Sequence, residues 1–143
     1  MKILVTGATG FTGSIVVPLL LENGWEVACF VRETSDTSCL PTGKVELRVG
    51  DLNNKNSLID ALEGRDVLVN IASLGFGNAA NVVDAAKESG LDRALFFSTT
   101  SLYTTLNPDS KAIRLEAERL IKESGVPYTI IRPTMIYGSS RDR

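Results

Sequence analysis

The sequence predicts a three-layer α/β domain in which a doubly wound parallel sheet, strand order 3-2-1-4-5-6, carries helices on both faces. Three observations point there. Strand-sized apolar runs alternate with segments of helical periodicity, apart from one direct loop between the second and third strands. The strands read as continuous apolar runs, which belong to sheets covered on both sides. The first strand runs straight into a glycine-rich turn that opens a helix. The 143 residues are expected to form one domain, 1–143, without internal repeat or linker.

Each element has its own reason. Lys2 to Thr6 is a short β-branched run that stops at Gly7. From Ser14 to Asn23, Ile15, Val16, Leu19 and Leu20 recur at helical spacing, and Gly24 supplies the stop. Pro18 sits inside that helix, where it removes a hydrogen bond and should bend the axis. Trp25 to Val31 and Val45 to Val49 are the second and third strands. Asn56 to Leu62 is a short helix closed by Gly64, and Asp66 to Ala72 a fourth strand. Asn78 to Ser89 is helical, with Ala79, Val82, Val83 and Ala86 on one face and Gly90 as its stop. Arg93 to Phe97 is a fifth strand. Asp109 or Ser110 can cap a long helix to Ser124, with Ile113, Ala117, Leu120 and Ile121 as its buried stripe. Gly125 ends it, and Tyr128 to Ile131 is a sixth strand leading to Arg132-Pro133.

Composition removes several chemistries. There is no histidine, so Ser-His-Asp and Cys-His catalysis and every His-ligated metal site are excluded. Lys plus Arg is 15 against Asp plus Glu 17, a net charge of −2 that predicts no nucleic-acid partner. Cys29 and Cys39 are too few for a disulfide scaffold and read as ordinary reduced thiols. With no signal peptide or membrane span in view, a cytoplasmic protein with no membrane partner is expected.

The sharpest chemical signal is Thr6-Gly7-Ala8-Thr9-Gly10-Phe11-Thr12-Gly13. Gly7 permits a tight turn, Gly10 lets backbone approach a pyrophosphate, and Gly13 allows close packing of helix on strand. The helix that follows offers N–H groups and a partial positive charge to phosphates. The spacing is GxxGxxG rather than GxGxxG, so the context of strand, turn and helix carries the assignment. The second strand ends at Val31-Arg32, where this architecture meets the adenosine ribose. A carboxylate there would hold the 2′-hydroxyl of NAD. Arg32 suits the 2′-phosphate of NADP, which makes NADP the preferred cofactor and NAD the alternative. Glu33 beside it works against a phosphate, and a solvated arginine at a strand end is the plain reading of Arg32.

With these residues in place the sequence resembles the short-chain dehydrogenase/reductase superfamily, in its extended and atypical branches, close to proteins of the NAD(P)-dependent epimerase/dehydratase type. The resemblance spans essentially all 143 residues. It is carried by the glycine motif 6–13, Gly50-Asp51-Leu52, Asn70-Ile71-Ala72-Ser73, Phe97-Ser98-Thr99-Thr100-Ser101-Leu102-Tyr103, Lys111, and Tyr128-Thr129-Ile130-Ile131-Arg132-Pro133. It implies a Rossmann-like fold whose dinucleotide lies on Gly7, Thr9, Gly10, Phe11, Thr12 and Gly13. It also implies that Asp51 and Leu52 flank the adenine, that Ala72 and Ser73 line the cofactor cleft, and that Pro133 and Thr134 approach the nicotinamide. The plain alternative for Asp51 is a turn carboxylate.

The family's hydride-transferring members use a Tyr-x-x-x-Lys pair with a nearby Ser or Thr. Residues four apart on a helix share a face, so the ammonium lowers the phenol's pKa and holds the ribose. Here Lys111 is present as the expected ribose-binding residue, but Asn107 stands where the tyrosine would be. Thr99 best matches the substrate-orienting hydroxyl, with Thr100 as the near alternative. Tyr103 is a candidate acid from a loop, although loop packing is its plainer role, and Lys111 can equally be a solvated first-turn lysine. The tail from Ile136 to Arg143 matches the family's passage into a smaller substrate domain, which is therefore expected to be absent from this chain. The resemblance thus implies the NAD(P)(H)-binding domain of an epimerase, dehydratase or reductase acting on a nucleotide-sugar-like or carbonyl small molecule. A non-catalytic NADP(H) sensor or scaffold is the alternative. The helices at 78–89 and 110–124 could pair in a homodimer.

Overall fold

In the computed structural model of the chain, residues 1–105 and 108–138 are described, Pro108 by its backbone alone. One six-stranded parallel sheet of order β3-β2-β1-β4-β5-β6 organises them. The strands are β1 (Lys2–Thr6), β2 (Glu26–Val31), β3 (Glu46–Val49), β4 (Val67–Asn70), β5 (Arg93–Phe97) and β6 (Tyr128–Ile131). The helices are α1 (Gly13–Glu22), α2 (Lys55–Leu62), α3 (Ala79–Glu88) and α4 (Pro108–Glu123). Every pairing is parallel, with Leu4 opposite Ala28 on one side and Leu68 on the other. This is the Rossmann-like α/β fold and the strand order that the sequence predicts. The order reverses between β1 and β4, which opens a crevice at their carboxyl ends.

Strand residues alternate between two cores. Leu4, Ala28, Phe30, Leu68, Ala94 and Phe96 face α2, α3 and α4, whose Leu58, Val82 and Ile121 complete one core. Ile3, Val5, Val27, Cys29, Val31 and Val69 face the other way and pack on Val17 of α1. Both faces of the central strands are therefore apolar, which is why they read as unbroken hydrophobic runs. Local chemistry fixes the helix starts. Asn54 caps α2 by accepting from the N–H groups of Asn56 (3.0 Å) and Ser57 (3.3 Å). Glycine supplies the left-handed position that ends α1 at Gly24 (φ 75°) and follows α3 at Gly90 (φ 61°).

Two helix stripes differ from expectation. In α1 the buried residues are Gly13 and Val17, whereas Ile15 and Leu19 are 47% and 51% exposed. Contact of Gly13 with the turn below it fixes the helix's rotation, and Val17, one turn later, follows Gly13 inward. In α4, Ala117 and Ile121 are buried as expected, but Ile113 is 41% exposed. That helix starts at Pro108 rather than after a cap at Asp109 or Ser110, with Asp109 in the first turn where its charge suits the helix dipole. Helix α1 continues through Pro18 without interruption. Two short 3₁₀ turns, Leu74–Phe76 and Thr100–Tyr103, follow β4 and β5 and are too short to carry a periodicity. No helix among the described residues is long and apolar enough to cross a membrane.

Candidate functional site

The crevice begins at the glycine turn. Gly7 adopts a left-handed conformation (φ 68°), and a Cβ on it would lie 2.6 Å from the Ala72 nitrogen. A Cβ at Gly13 would fall on the Gly7 carbonyl and 2.6 Å from Ala8 Cα. These two glycines are required by contacts within the chain. Gly10 is different: it is exposed, and its added Cβ would meet only the Gly7 oxygen, at 3.3 Å. Below the turn, Thr6 donates from Oγ1 to Asn70 Oδ1 at 2.7 Å, and Asn70 Nδ2 donates to the Ala72 carbonyl at 3.1 Å. Thr6 and Asn70 are both buried, so this pair ties the ends of β1 and β4 together beneath the cleft.

At the mouth of α1, the Ser14 N–H bonds back to Gly10 and the Val16 N–H to Thr12, and Thr12 provides no side-chain cap. These N–H groups are spent on carbonyls of the turn itself, and what the mouth of α1 offers an anion is the positive end of the helix dipole. Backbone held close by Gly7 and Gly13, with room above Gly10, fits a pyrophosphate. Thr9 contributes its carbonyl to the side wall, where it accepts a 3.8 Å contact from Cys39 Sγ, and Phe11 accepts from Ser14 Oγ at 3.0 Å.

On the adenosine side, Arg32 is exposed just past β2, with its N–H donated to Ser35 Oγ at 3.1 Å. Gly50 follows β3 and donates to the Val31 carbonyl at 2.9 Å, which sets the start of the Asp51-Leu52 segment against the end of β2. Asp51 Oδ1 already accepts from the Asn53 N–H (2.8 Å) and Nδ2 (3.0 Å), while Leu52 packs partly against the core.

The opposite end is a cavity of about 160 Å³ lined by Thr12, Ser73, Thr99, Arg114, Pro133 and Ile136 among others. Ser73 accepts from the Gly75 N–H at 3.1 Å, which orients its hydroxyl at the start of the 3₁₀ turn. Thr99 likewise accepts from the Ser101 N–H at 3.1 Å, and its O–H remains available to donate into the cavity. Thr100 is instead used structurally, donating from Oγ1 to the Pro133 carbonyl at 3.3 Å. Tyr103 is 74% exposed, so the packing expected of it falls to Leu102, which is 4% exposed. Lys111 donates to the Thr104 carbonyl at 3.2 Å and is not among the cavity's lining residues. Asn107 lies outside the described residues.

Two groups that the sequence reading passed over shape this end. Glu118, with a side chain only 3% exposed, receives Arg132 Nε at 2.8 Å and Nη2 at 2.6 Å. Arg132's hydrogen bonds hold the carboxyl below its ordinary value against the effect of burial, with charge attraction from Arg132 and Lys122 adding to them. This bidentate pair clamps β6 to α4 and sets where Pro133 emerges. The other is Arg114, three residues after Lys111 and therefore on nearly the same helix face. The spacing Ser110, Arg114, Glu118 is the signal that could have revealed both, since residues four apart stack along one helix face. Burial, with Cys39 nearby, pushes the Cys29 thiol up to about 12, so Cys29 is not an activated thiol. Among the described residues no cluster could hold a metal ion.

This geometry agrees with the comparisons to known proteins. The chain is 32% identical over 143 residues to "Photosystem II assembly factor Ycf39" of Cyanophora paradoxa, covering 92% of this chain and 44% of that protein. It is 30% identical over 141 residues to "Quinone oxidoreductase 2" of Escherichia coli (strain K12), covering 91% of this chain and 47% of that protein. The solved structure of an NADPH-dependent quinone oxidoreductase (QOR2) from Escherichia coli superposes with a TM-score of 0.77 at 26% identity, over 92% of this chain and 46% of that one. The chain thus spans less than half the length of these proteins. A family model described as NAD(P)H-binding matches residues 7–142. The chain belongs to this NAD(P)H-binding family.

Proposed function

We propose that the chain is the cofactor-binding part of an NADPH-using reductase of small carbonyl compounds. The observation that carries this reading is the cavity beyond the glycine turn, where Thr99 offers a hydroxyl and Arg114 a cation next to Pro133. The likeness to quinone oxidoreductase 2 in sequence, and to an NADPH-dependent quinone oxidoreductase in structure, supports it. A bound nicotinamide dinucleotide would supply the hydride. The protein's share is to hold the pyrophosphate on the turn 7–13, to read the 2′-phosphate with Arg32, and to place Asp51 and Leu52 at the adenine. Thr99 would orient the substrate's oxygen. Tyr103 and Lys111 take no part in this scheme, because neither lines the cavity.

Calorimetric titration of the chain tests the reading. NADPH is expected to bind about tenfold or more tightly than NADH, and Arg32→Glu should erase that preference. Failure of both dinucleotides to bind at millimolar concentration overturns it. A non-catalytic NADPH sensor is the second reading, favoured by the outward turn of Lys111 towards Thr104. Tight NADPH binding without turnover of quinones or enones, in this chain and in any longer protein containing it, would select the sensor.

A further inference from the structure

We propose that Arg114 is the substrate-recognising cation of the cleft, and that it takes the carbonyl oxygen of a small substrate as that oxygen becomes an anion. The proposal rests on the reductase reading above. Two neighbours fix the guanidinium at the cavity wall. Arg114 donates from Nη1 to Ser110 Oγ, one helical turn earlier. On its other side lies Gly75, where a Cβ would stand 2.9 Å from Nη2 and 3.0 Å from Cζ. Gly75 is not among the positive-φ glycines, so no backbone strain calls for glycine there. The space a side chain would fill is taken by the guanidinium.

The charge of Arg114 is also uncommitted. Arg48, Arg65, Arg119 and Arg132 each hold a glutamate. Among the described residues no carboxylate forms an ion pair with Arg114, and Ser110 is a neutral acceptor. A half-buried cation on a cavity wall, with most of its five donors unspent, is built to donate to an anionic oxygen.

The chemistry follows from the arginine's high pKa. It cannot give up a proton near neutral pH, but it can stabilise charge that develops during the reaction. As hydride reaches the substrate's carbon, the π bond breaks and its electron pair moves to oxygen. Arg114 holds that oxyanion beside the Thr99 hydroxyl, and a water proton then neutralises it. The tyrosine-lysine pair is not needed for this route.

The test is calorimetric titration of the full chain with benzoate, whose carboxylate offers an anionic oxygen on a small ring, with and without NADPH. Arg114→Met should weaken benzoate about tenfold or more, and Arg114→Lys less. Gly75→Ala, which displaces the guanidinium without removing it, should weaken benzoate as well. NADPH affinity should change by less than about twofold in all three. Thermal unfolding by circular dichroism confirms that each variant is folded. Equal benzoate binding in the wild type and Arg114→Met, or none in either, overturns the proposal. A tenfold loss of NADPH affinity in Arg114→Met also overturns it, since the guanidinium would then serve the dinucleotide's phosphates. Should NADPH fail to bind while benzoate binding remains dependent on Arg114, the reductase reading falls and the anion site stands.

Discussion

The two ends of the cleft are built by different physics. At the glycine turn, backbone packs on backbone: a Cβ at Gly7 would meet the Ala72 nitrogen at 2.6 Å, and one at Gly13 would meet Ala8 Cα at 2.6 Å. A buried Thr6–Asn70 hydrogen bond locks the layer beneath. At the far end the work is done by side chains, with the Arg132–Glu118 pair behind the cavity and Thr99 and Arg114 lining it. Phe76, Tyr103, Met135 and Tyr137 stand 74–83% exposed on the described elements that lead out of β4, β5 and β6. A site made of close backbone contacts admits few residue types, and those are glycines. A site made of side chains can exchange one residue for another while the scaffold stays the same. On the reading proposed above, the phosphates of the dinucleotide would thus rest on backbone and the substrate would meet side chains.

The strongest way to break the contrast is Gly13→Val. Added atoms would overlap the Gly7 carbonyl and Ala8, with only backbone to give way. We expect a loss of about 3 kcal/mol or more in chemical denaturation, together with loss of NADPH binding. Glu118→Ala tests the side-chain end by leaving Arg132 without its partner. Because Arg132 is itself 32% exposed, the expected cost is about 2–3 kcal/mol, below that of a fully buried pair. NADPH affinity should survive in the folded fraction.

That pair also carries a pH signature. The folded Glu118 carboxyl titrates below its ordinary value of 4.5, so its contribution is fully present above that pH. The unfolded chain takes up the proton first as pH falls. The stability difference between wild type and Glu118→Ala should therefore shrink on acidification below about pH 4.5, and urea denaturation at several pH values would show it. A difference that grew towards low pH would contradict the assignment.

Smaller effects sharpen the comparison. Thr6→Val keeps the shape of the side chain but leaves the Asn70 oxygen without its buried donor. The expected cost in thermal or chemical denaturation is about 1–2 kcal/mol. Gly10→Ala should cost no more than about 1 kcal/mol, since Gly10 is exposed with an ordinary φ and its methyl meets only the Gly7 oxygen at 3.3 Å. It should nevertheless weaken NADPH about tenfold, because its methyl group would stand where the phosphate approaches. Equal stability losses in Gly10→Ala and Gly13→Val would remove the distinction between ligand-facing and packing glycines.

Much of the fold was legible because its determinants are local or periodic. The strand order follows from six apolar runs with intervening helices, and the α3 stripe of Ala79, Val82, Val83 and Ala86 is buried as its spacing indicates. The α1 stripe is not legible in the same way, because Ile15, Val16, Leu19 and Leu20 form a plausible apolar face and hydropathy alone gives no weight to Gly13. The rotation of α1 is set by how closely Gly13 can approach Gly7, which is a packing fact. Similarly, Tyr103 invites a packing or acid role on residue type, yet the burial in that 3₁₀ turn goes to Leu102.

The sequence by itself determined that this chain builds a parallel α/β sheet and offers a glycine turn to a dinucleotide. Backbone conformation, strand burial and helix termination are encoded over a few neighbouring residues. Only the tertiary structure decided which side chains share the far end of the cleft. Lys111 and Arg114 lie three residues apart on one helix, but Lys111 bonds to the Thr104 carbonyl while Arg114 lines the cavity beside Gly75. Glu118 and Arg132 become partners only because β6 returns alongside α4. Such pairings depend on where distant segments meet, and the energy that selects them arises from desolvation and packing at that meeting point.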